Sequence, residues 1–327
     1  MIISKTPLRI SFLGGGSDLP AYYAQAPGAV VSTAINKYIY ITVNRKFDHR
    51  IRASYSVTEI VEDIGELKHE LIRESLRLLD IAGQIEITSI SDIPSRGTGL
   101  GSSSAYTVGL LNALHAYRSR HAGAERLARE ACHIEIDVCG HPIGKQDQYI
   151  AAYGGLQTIR FHGDETVTVD PVICSHQTRE TLQEHLLMLY TGRVRSASGI
   201  LATQSRNTRD DPEKRRGLGK LVALAERGLE ALTANDLDAF GELLHRGWLE
   251  KKKLADGITT PEIDDWYDRA RRAGALGGKV LGAGGGGFLL LYAPPEHHAR
   301  IGHALPELVP VDVSLEPQGS KIIFVEE

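Results

Sequence analysis

Residues 94–105 constrain this chain more than any other stretch; they read Pro-Ser-Arg-Gly-Thr-Gly-Leu-Gly-Ser-Ser-Ser-Ala. Gly97, Gly99 and Gly101 alternate, with Leu100 between the last two, and run directly into Ser102, Ser103 and Ser104. Before them, residues 84–90 alternate as a strand does, with Ile85 and Ile87 on one side and Glu86 and Thr88 on the other. After them, Tyr106, Leu110, Leu114 and Tyr117 recur at helical spacing. The spacing predicts a strand, a glycine-rich loop and a helix. A helix N-terminus gathers unpaired N–H donors and the positive end of the dipole, and glycines let the backbone close around an anion. Two readings are open: a cradle for a polyphosphate, or a helix capped by one serine after a flexible turn. No Lys-Ser or Lys-Thr closes the glycine run, so this is not a Walker loop. If phosphates bind here, a metal must take more of their charge, and a loop serine hydroxyl is a candidate ligand.

Two other glycine clusters stand out. Residues 5–18 end a short strand pattern in Gly14, Gly15 and Gly16, followed by Ser17 and Asp18. Glycines there admit a ligand close to the backbone. Asp18 either accepts hydrogen bonds from sugar hydroxyls or closes an Asx turn. In residues 279–288, Gly282, Gly284 and Gly287 satisfy the dinucleotide-binding fingerprint literally. That motif must open a helix, whereas residues 288–292 have a strand pattern. A glycine turn between strands, packed on another backbone or a ligand and including Gly285, is the better account.

Residues 38–43 read as a strand, and residues 66–82 as an amphipathic helix with Gly83 at its C-cap. Residues 124–139 read as a helix whose buried stripe is Leu127, Ala131, Ile134 and Val138, with Glu135 on its edge and Gly140 stopping it. Asp147 follows in the loop His-Pro-Ile-Gly-Lys-Gln-Asp. Glu135 and Asp147 suit a metal ligand and a base; a surface glutamate and a capping aspartate would have the same spacing. His133 and His141 read as packing or surface residues.

The length of 327 residues suggests two domains, 1–175 and 176–327, divided after Asp170-Pro171. Residues 186–190 form an apolar run that opens the second as a buried strand. Arg193 and Arg195 fall in the polar turn after it. Residues 207–217 read as a charged, mobile linker into helices at 218–232, 237–254 and 261–273. The last has Thr260 as N-cap, Pro261 at its first position and Gly274 at its end. Hydrophobic residues at 42% and charged residues at 24% are those of a soluble globular protein. The net charge of −4 argues against a nucleic-acid partner, and no apolar run predicts a membrane span or a signal peptide. The expected location is cytoplasmic, with a homodimer left open. Cys132, Cys139 and Cys174 are an odd count without metal spacing, and Cys132 and Cys139, seven apart on one helical pattern, read as buried thiols.

The three glycine clusters together resemble the motifs of the GHMP kinase superfamily, the group of galactokinase, homoserine kinase, mevalonate kinase and phosphomevalonate kinase. Residues 94–105 are similar to its phosphate-binding motif, 7–18 to its first motif and 279–288 to its third. The form Pro-Leu-Arg-Ile-Ser-Phe-Leu-Gly-Gly-Gly-Ser-Asp and the run Gly-Lys-Gln-Asp-Gln at 144–148 resemble the sugar-kinase branch that contains heptose 7-phosphate kinases and the kinase part of fucokinases. The resemblance implies an α+β fold of two domains, the first like domain 2 of ribosomal protein S5 and the second ferredoxin-like. It implies ATP and Mg²⁺. Pro94, Arg96, Gly97, Gly99, Leu100, Gly101, Ser102, Ser103 and Ser104 would form the nucleotide loop, with Ser103 and Glu135 serving the metal. Asp147 would be the catalytic aspartate with Arg9 beside it. Gly15, Gly16, Ser17 and Asp18, with Gly284 and Gly285, would meet the acceptor.

Galactokinases carry Glu-His where this chain has Gly15-Gly16, which argues against galactose. The acceptor implied is a heptose 7-phosphate, phosphorylated at its anomeric hydroxyl on the way to nucleotide-activated heptose for capsule or surface polysaccharide. Such an acceptor needs a second anion site, for which Arg193 and Arg195 are candidates; solvated arginines are the alternative. Another sugar, an isoprenoid alcohol, or a non-catalytic sensor on the same scaffold are the competing expectations.

Overall fold

The computed structural model describes residues 1–94, 97–193 and 197–326, so Arg96 and Arg195 lie outside the described residues. The first sheet contains β1 (Ile2–Leu13), β2 (Gly28–Arg45), β3 (Ile51–Ser54), β4 (Thr58–Val61), β5 (Ile85–Ser91), β6 (Leu156–Phe161) and β7 (Val167–Pro171). The second contains β8 (Leu186–Tyr190), β9 (Gly277–Val280), β10 (Phe288–Tyr292) and β11 (Val309–Val311). The chain then returns to the first sheet, where β12 (Lys321–Val325) pairs antiparallel with β1.

In the first sheet the order is β12-β1-β2-β5-β3-β4, and β2 changes partner along its length. Residues 28–33 pair with β6, and residues 39–45 with β5. The sequence pattern predicts only residues 38–43 as strand because alternation is visible only there. The first eight residues of β2 are buried on both faces, so a run of Gly, Ala, Val, Ser, Thr and Ile carries no period of two. The second sheet is antiparallel with order β11-β8-β10-β9. Numbered along the chain this is 4-1-3-2, with helices between its first and second and between its third and fourth strands, which is the ferredoxin-like arrangement.

The two sheets share one apolar core. Phe12 of β1 meets Phe240 edge-on at 5.5 Å between centroids, and Phe240 meets Tyr292 of β10 at 5.8 Å. Among the described residues, no helix is long and apolar enough to cross a membrane.

Three expected elements differ. Residues 207–217 are not a linker: the helices Ala197–Asp210 and Pro212–Thr233 run through them, broken only at Asp211. The Asp211 carboxylate accepts from the Glu213 amide at 2.7 Å, and Pro212 takes the first helical position, so the charged run is a helix start with solvated faces. The expected helix 66–82 is shorter, Glu70–Leu78, and ends through Asp80 at φ 52° rather than at Gly83. The third difference matters for the site. The helix Ala124–Cys132 continues as a π-helical turn, His133–Val138, whose Cys139 amide reaches back five residues to Ile134. The wider turn resets the helical phase. Val138 emerges 48% exposed, and Glu135 is driven to complete burial.

Candidate active site

Both halves of the chain line a cleft of about 580 Å³. From the first come Arg9 and Ser11 of β1, Gly15, Gly16 and Asp18 just beyond it, the glycine-serine loop, and Gly144, Gln146 and Asp147. From the second come Ser198, Leu201 and Gln204, then Lys251, Lys279, Gly282 and Ala283.

The centre is a bidentate ion pair. Arg9 Nε donates to Asp147 Oδ1 at 2.7 Å and Nη2 to Oδ2 at 2.6 Å, while Nη1 donates to the Gly99 carbonyl at 2.5 Å. Arg9 is only 4% exposed, so β1, the loop and the helix Gln146–Tyr153 are tied at one nearly dry point. Gly101 allows this: at φ 73°, any Cβ there would stand 3.2 Å from Asp147 Oδ2 and from Arg9 Cγ.

Gly101 also occupies the N-cap of the helix Ser102–Tyr117, and among the described residues no side chain caps that helix. The serines are engaged elsewhere. Ser103 Oγ donates to Glu135 Oε1 at 2.7 Å, and Ser102 Oγ lies 3.4 Å from Thr98 Oγ1. The amides of the first turn are therefore left free of the capping expected from a serine, facing the cleft that Ser102, Ser103 and Ser104 line. Glu135 is completely buried, and Gln148 Nε2 donates to its other oxygen at 2.7 Å. Burial raises its pKa against the lowering effect of these hydrogen bonds. A hydroxyl and a carboxylate sharing one point are hard oxygen donors of the kind Mg²⁺ takes.

Asp18 is 4% exposed and accepts from the Gly16 amide at 2.9 Å. Burial and, next, the negative charge of Asp147 push its pKa up. Gly144 must be glycine, because a Cβ would fall 2.0 Å from Asp18 Oδ2. Around Gly15 and Gly16, three buried polar atoms have no hydrogen-bond partner among the described residues: Ser11 Oγ, Gln146 Oε1 and Gln204 Nε2. A Cβ on Gly15 would lie 3.5 Å from Ser11 Oγ, and one on Gly16 only 2.2 Å from Gln204 Nε2. The glycines thus keep open a polar wall.

The third glycine cluster packs on the loop backbone to backbone, as its sequence suggests. A Cβ on Gly99 would strike the Leu281 carbonyl oxygen at 2.4 Å, one on Gly282 the Gly99 Cα at 2.5 Å, and one on Gly287 the Thr98 carbonyl oxygen at 2.4 Å.

Not every expected residue reaches the cleft. Ser17 is buried and its hydroxyl braces the Gly14 and Ala29 carbonyls at 2.8 and 3.1 Å. Gly284 and Gly285 pack on Ile258 instead of lining the cleft. Leu100 is core, and Pro94 is not among the lining residues. Arg193 is not a lining residue either; its guanidinium lies 3.0 Å from Glu262 Oε1 on an exposed surface. His133 and His141 are surface residues paired with Asp137 and Glu70, as expected. Cys139 also comes near Glu70 and His141, a grouping that sequence spacing does not reveal.

Sequence reasoning missed Gln204, Lys251 and Lys279. Lys279 opens the third motif, but Gln204 and Lys251 are single residues on helices with no pattern around them.

Residues 65–155 match the GHMP kinases N terminal domain and residues 229–311 the GHMP kinases C terminal domain, together more than half of the chain. This chain belongs to the GHMP kinase family, whose sugar-kinase members are ATP-dependent phosphotransferases with an alcohol acceptor. It is 28% identical over 306 residues, 90% of either chain, to the D-glycero-alpha-D-manno-heptose 7-phosphate kinase of Campylobacter jejuni. It is 26% identical over 320 residues to the bifunctional fucokinase/GDP-fucose pyrophosphorylase of Arabidopsis thaliana, covering 30% of that protein. The crystal structure described as a D-glycero-D-manno-heptose 1-phosphate kinase from Bacteroides thetaiotaomicron superposes over the whole of both chains with a TM-score of 0.82 at 26% identity.

Proposed function

We propose that this kinase transfers the γ-phosphoryl group of ATP to the anomeric hydroxyl of a heptose 7-phosphate, giving the 1,7-bisphosphate for nucleotide-activated heptose and surface polysaccharide. The observation that carries the sugar assignment is the polar wall at Gly15–Gly16. Ser11 Oγ, Gln146 Oε1 and Gln204 Nε2 are buried and without a partner among the described residues, and Asp18 stands beside them. Burying such atoms without partners costs about 1–3 kcal/mol each, so a hydroxyl-rich acceptor is the ligand they fit. The names of the heptose phosphate kinases among its relatives support the same class. Those names differ over the phosphate position, 7 or 1. A 7-phosphate leaves the anomeric hydroxyl free, and that hydroxyl is acidic enough for a carboxylate base.

In this reading Asp147 receives the proton of the attacking hydroxyl. Arg9 grips both Asp147 oxygens, fixes their direction and brings a positive charge beside the transferred group. The free amides at the head of the helix Ser102–Tyr117 hold the phosphates. Ser103 and Glu135 would hold Mg²⁺, which when bound neutralises phosphate charge. Asp18 and Gln204 orient the sugar. The division near residue 175 assigns the phosphate loop and Asp147 to the first half, and Gln204 and both cleft lysines to the second.

The test is ADP release with Mg-ATP and five acceptors: heptose 7-phosphate, free heptose, fucose, galactose and mevalonate. Heptose 7-phosphate is expected to be turned over with the highest kcat/KM. Gln204→Met, which keeps volume but cannot donate a hydrogen bond, should raise the acceptor KM about tenfold with the ATP KM unchanged. Preference for mevalonate would replace the sugar by an isoprenoid alcohol, and silence on all five with ATP still bound would make the chain a sensor.

A further inference from the structure

The roles above leave two buried lysines in the cleft without a task. Lys279 on β9 is occupied by main chain: its ammonium donates to the Ser11 carbonyl at 2.7 Å and the Phe12 carbonyl at 3.0 Å, fastening β9 to β1. Lys251 is different. It ends the helix Leu237–Lys251, is 6% exposed and lines the cleft. Among the described residues its ammonium has one hydrogen-bond partner, the Gly282 carbonyl. An ammonium has three N–H donors, so two remain for a ligand.

The partner fixes where they are. Gly282 lies against Gly99 of the phosphate loop, so close that a Cβ would fall 2.5 Å from the Gly99 Cα. Lys251 therefore stands at the edge of a loop that carries no lysine of its own. The charged groups facing it are Arg9 on β1, Asp18 beyond β1, Asp147 on the helix Gln146–Tyr153, and Lys279 on β9. None of them neutralises it by contact: Asp147 is taken by Arg9 on both oxygens, and Asp18 by backbone amides. A buried ammonium without a counter-ion is costly, and a polyphosphate in the loop removes that cost.

We propose that Lys251 binds the terminal phosphate of the nucleotide, supplying from the second half of the chain the cation that a Walker loop carries within itself. The protonation of Lys251 fits this placement. Burial first, and then the positive charge of Arg9, push its pKa down to about 8. In the nucleotide-free protein the ammonium is therefore lost as pH rises through about 8. Affinity for a γ-phosphate should fall over the same interval, while affinity for ADP, which lacks that group, should not.

The experiment is calorimetric titration of the full chain with Mg-ATP and with Mg-ADP, without acceptor, at pH 7 and pH 9. The inference rests on the kinase class and not on the heptose assignment, so these titrations and the acceptor panel fail independently. Lys251→Met should weaken ATP about 10- to 100-fold, the worth of a charge-assisted hydrogen bond, and ADP far less. Lys251→Arg should restore most of the ATP affinity and abolish its decline between pH 7 and 9. Equal weakening of ATP and ADP in Lys251→Met would reduce Lys251 to a brace for the Gly282 turn. Unchanged ATP affinity with a raised KM for a phosphorylated acceptor would assign it to the acceptor's phosphate. If Lys251→Met failed to fold, Lys251→Gln that kept the fold but bound ATP no better than ADP, unlike the unaltered protein, would support the proposal's dependence on the ammonium, and Lys251→Gln with ATP and ADP affinities both unchanged would overturn it.

Discussion

Asp147 and Arg9 form the residue pair at the centre of the cleft, and in the proposed reaction each depends on the other. Arg9 is buried and charge-paired through two hydrogen bonds, whereas Asp147 is partly exposed, so removing the Asp147 carboxylate leaves the buried Arg9 charge uncompensated, which costs about 3–5 kcal/mol. Asp147→Asn keeps the shape and one acceptor oxygen but cannot take a proton. It should lower kcat by about 10²- to 10⁴-fold, the worth of a general base, with nucleotide affinity retained. A rate near that of the parent in a steady-state assay would remove Asp147 from proton transfer. At this scale the sequence shows only the types of residue. Glu135 and Asp147 are twelve positions apart and look like a surface glutamate and a capping aspartate until the fold is known. The π-helical turn at His133–Val138 is what turns Glu135 inward, and no local propensity announces it.

At the scale of elements, the strand-loop-helix unit at 85–117 and the β9–β10 turn were legible because glycine runs flanked by clear periodicity leave few alternatives. Their mutual packing was legible only as a need for closeness. Each fills the space that side chains on the other would take, which makes a prediction about backbone rather than chemistry. Gly282→Ala places a Cβ at φ 69° and 2.5 Å from the Gly99 Cα. The backbone strain alone costs about 1–3 kcal/mol, and the contact cannot relax because both sides are main chain. Gly302→Ala is the converse: it lies in the helix Pro295–Ala304 with nothing within 4 Å of a Cβ. That change should stabilise the protein by about 0.5–1 kcal/mol. Urea unfolding midpoints should move in opposite directions for the two variants; a Gly282→Ala midpoint equal to the parent's would refute the close packing of turn on loop. The charged run at 207–217 reads as a linker by composition, whereas the Asp211-Pro212 pair makes it a helix start.

For the molecule as a whole, the cleft is assembled from both halves, and this was the least legible level. Contiguous motifs revealed the glycine-serine loop and the stretches at 7–18 and 279–288, but not the residues that meet them from other elements. Gln204, Lys251 and Lys279 enter from two helices and a strand of the second half, and only their convergence gives them meaning. Arg193 shows the reverse, a plausible anion ligand by sequence that the fold carries to Glu262 instead. The return of β12 to the edge of the first sheet likewise joins the two ends of the chain without a sequence signal. The central claim is phosphoryl transfer to an anomeric hydroxyl in this cleft. Its most direct test is the ³¹P NMR spectrum of the product made from heptose 7-phosphate and Mg-ATP. The account predicts a new resonance coupled to the anomeric proton, with the 7-phosphate signal retained and one ADP formed per product. A new phosphate coupled to any other sugar proton, or inorganic phosphate alone, would contradict it.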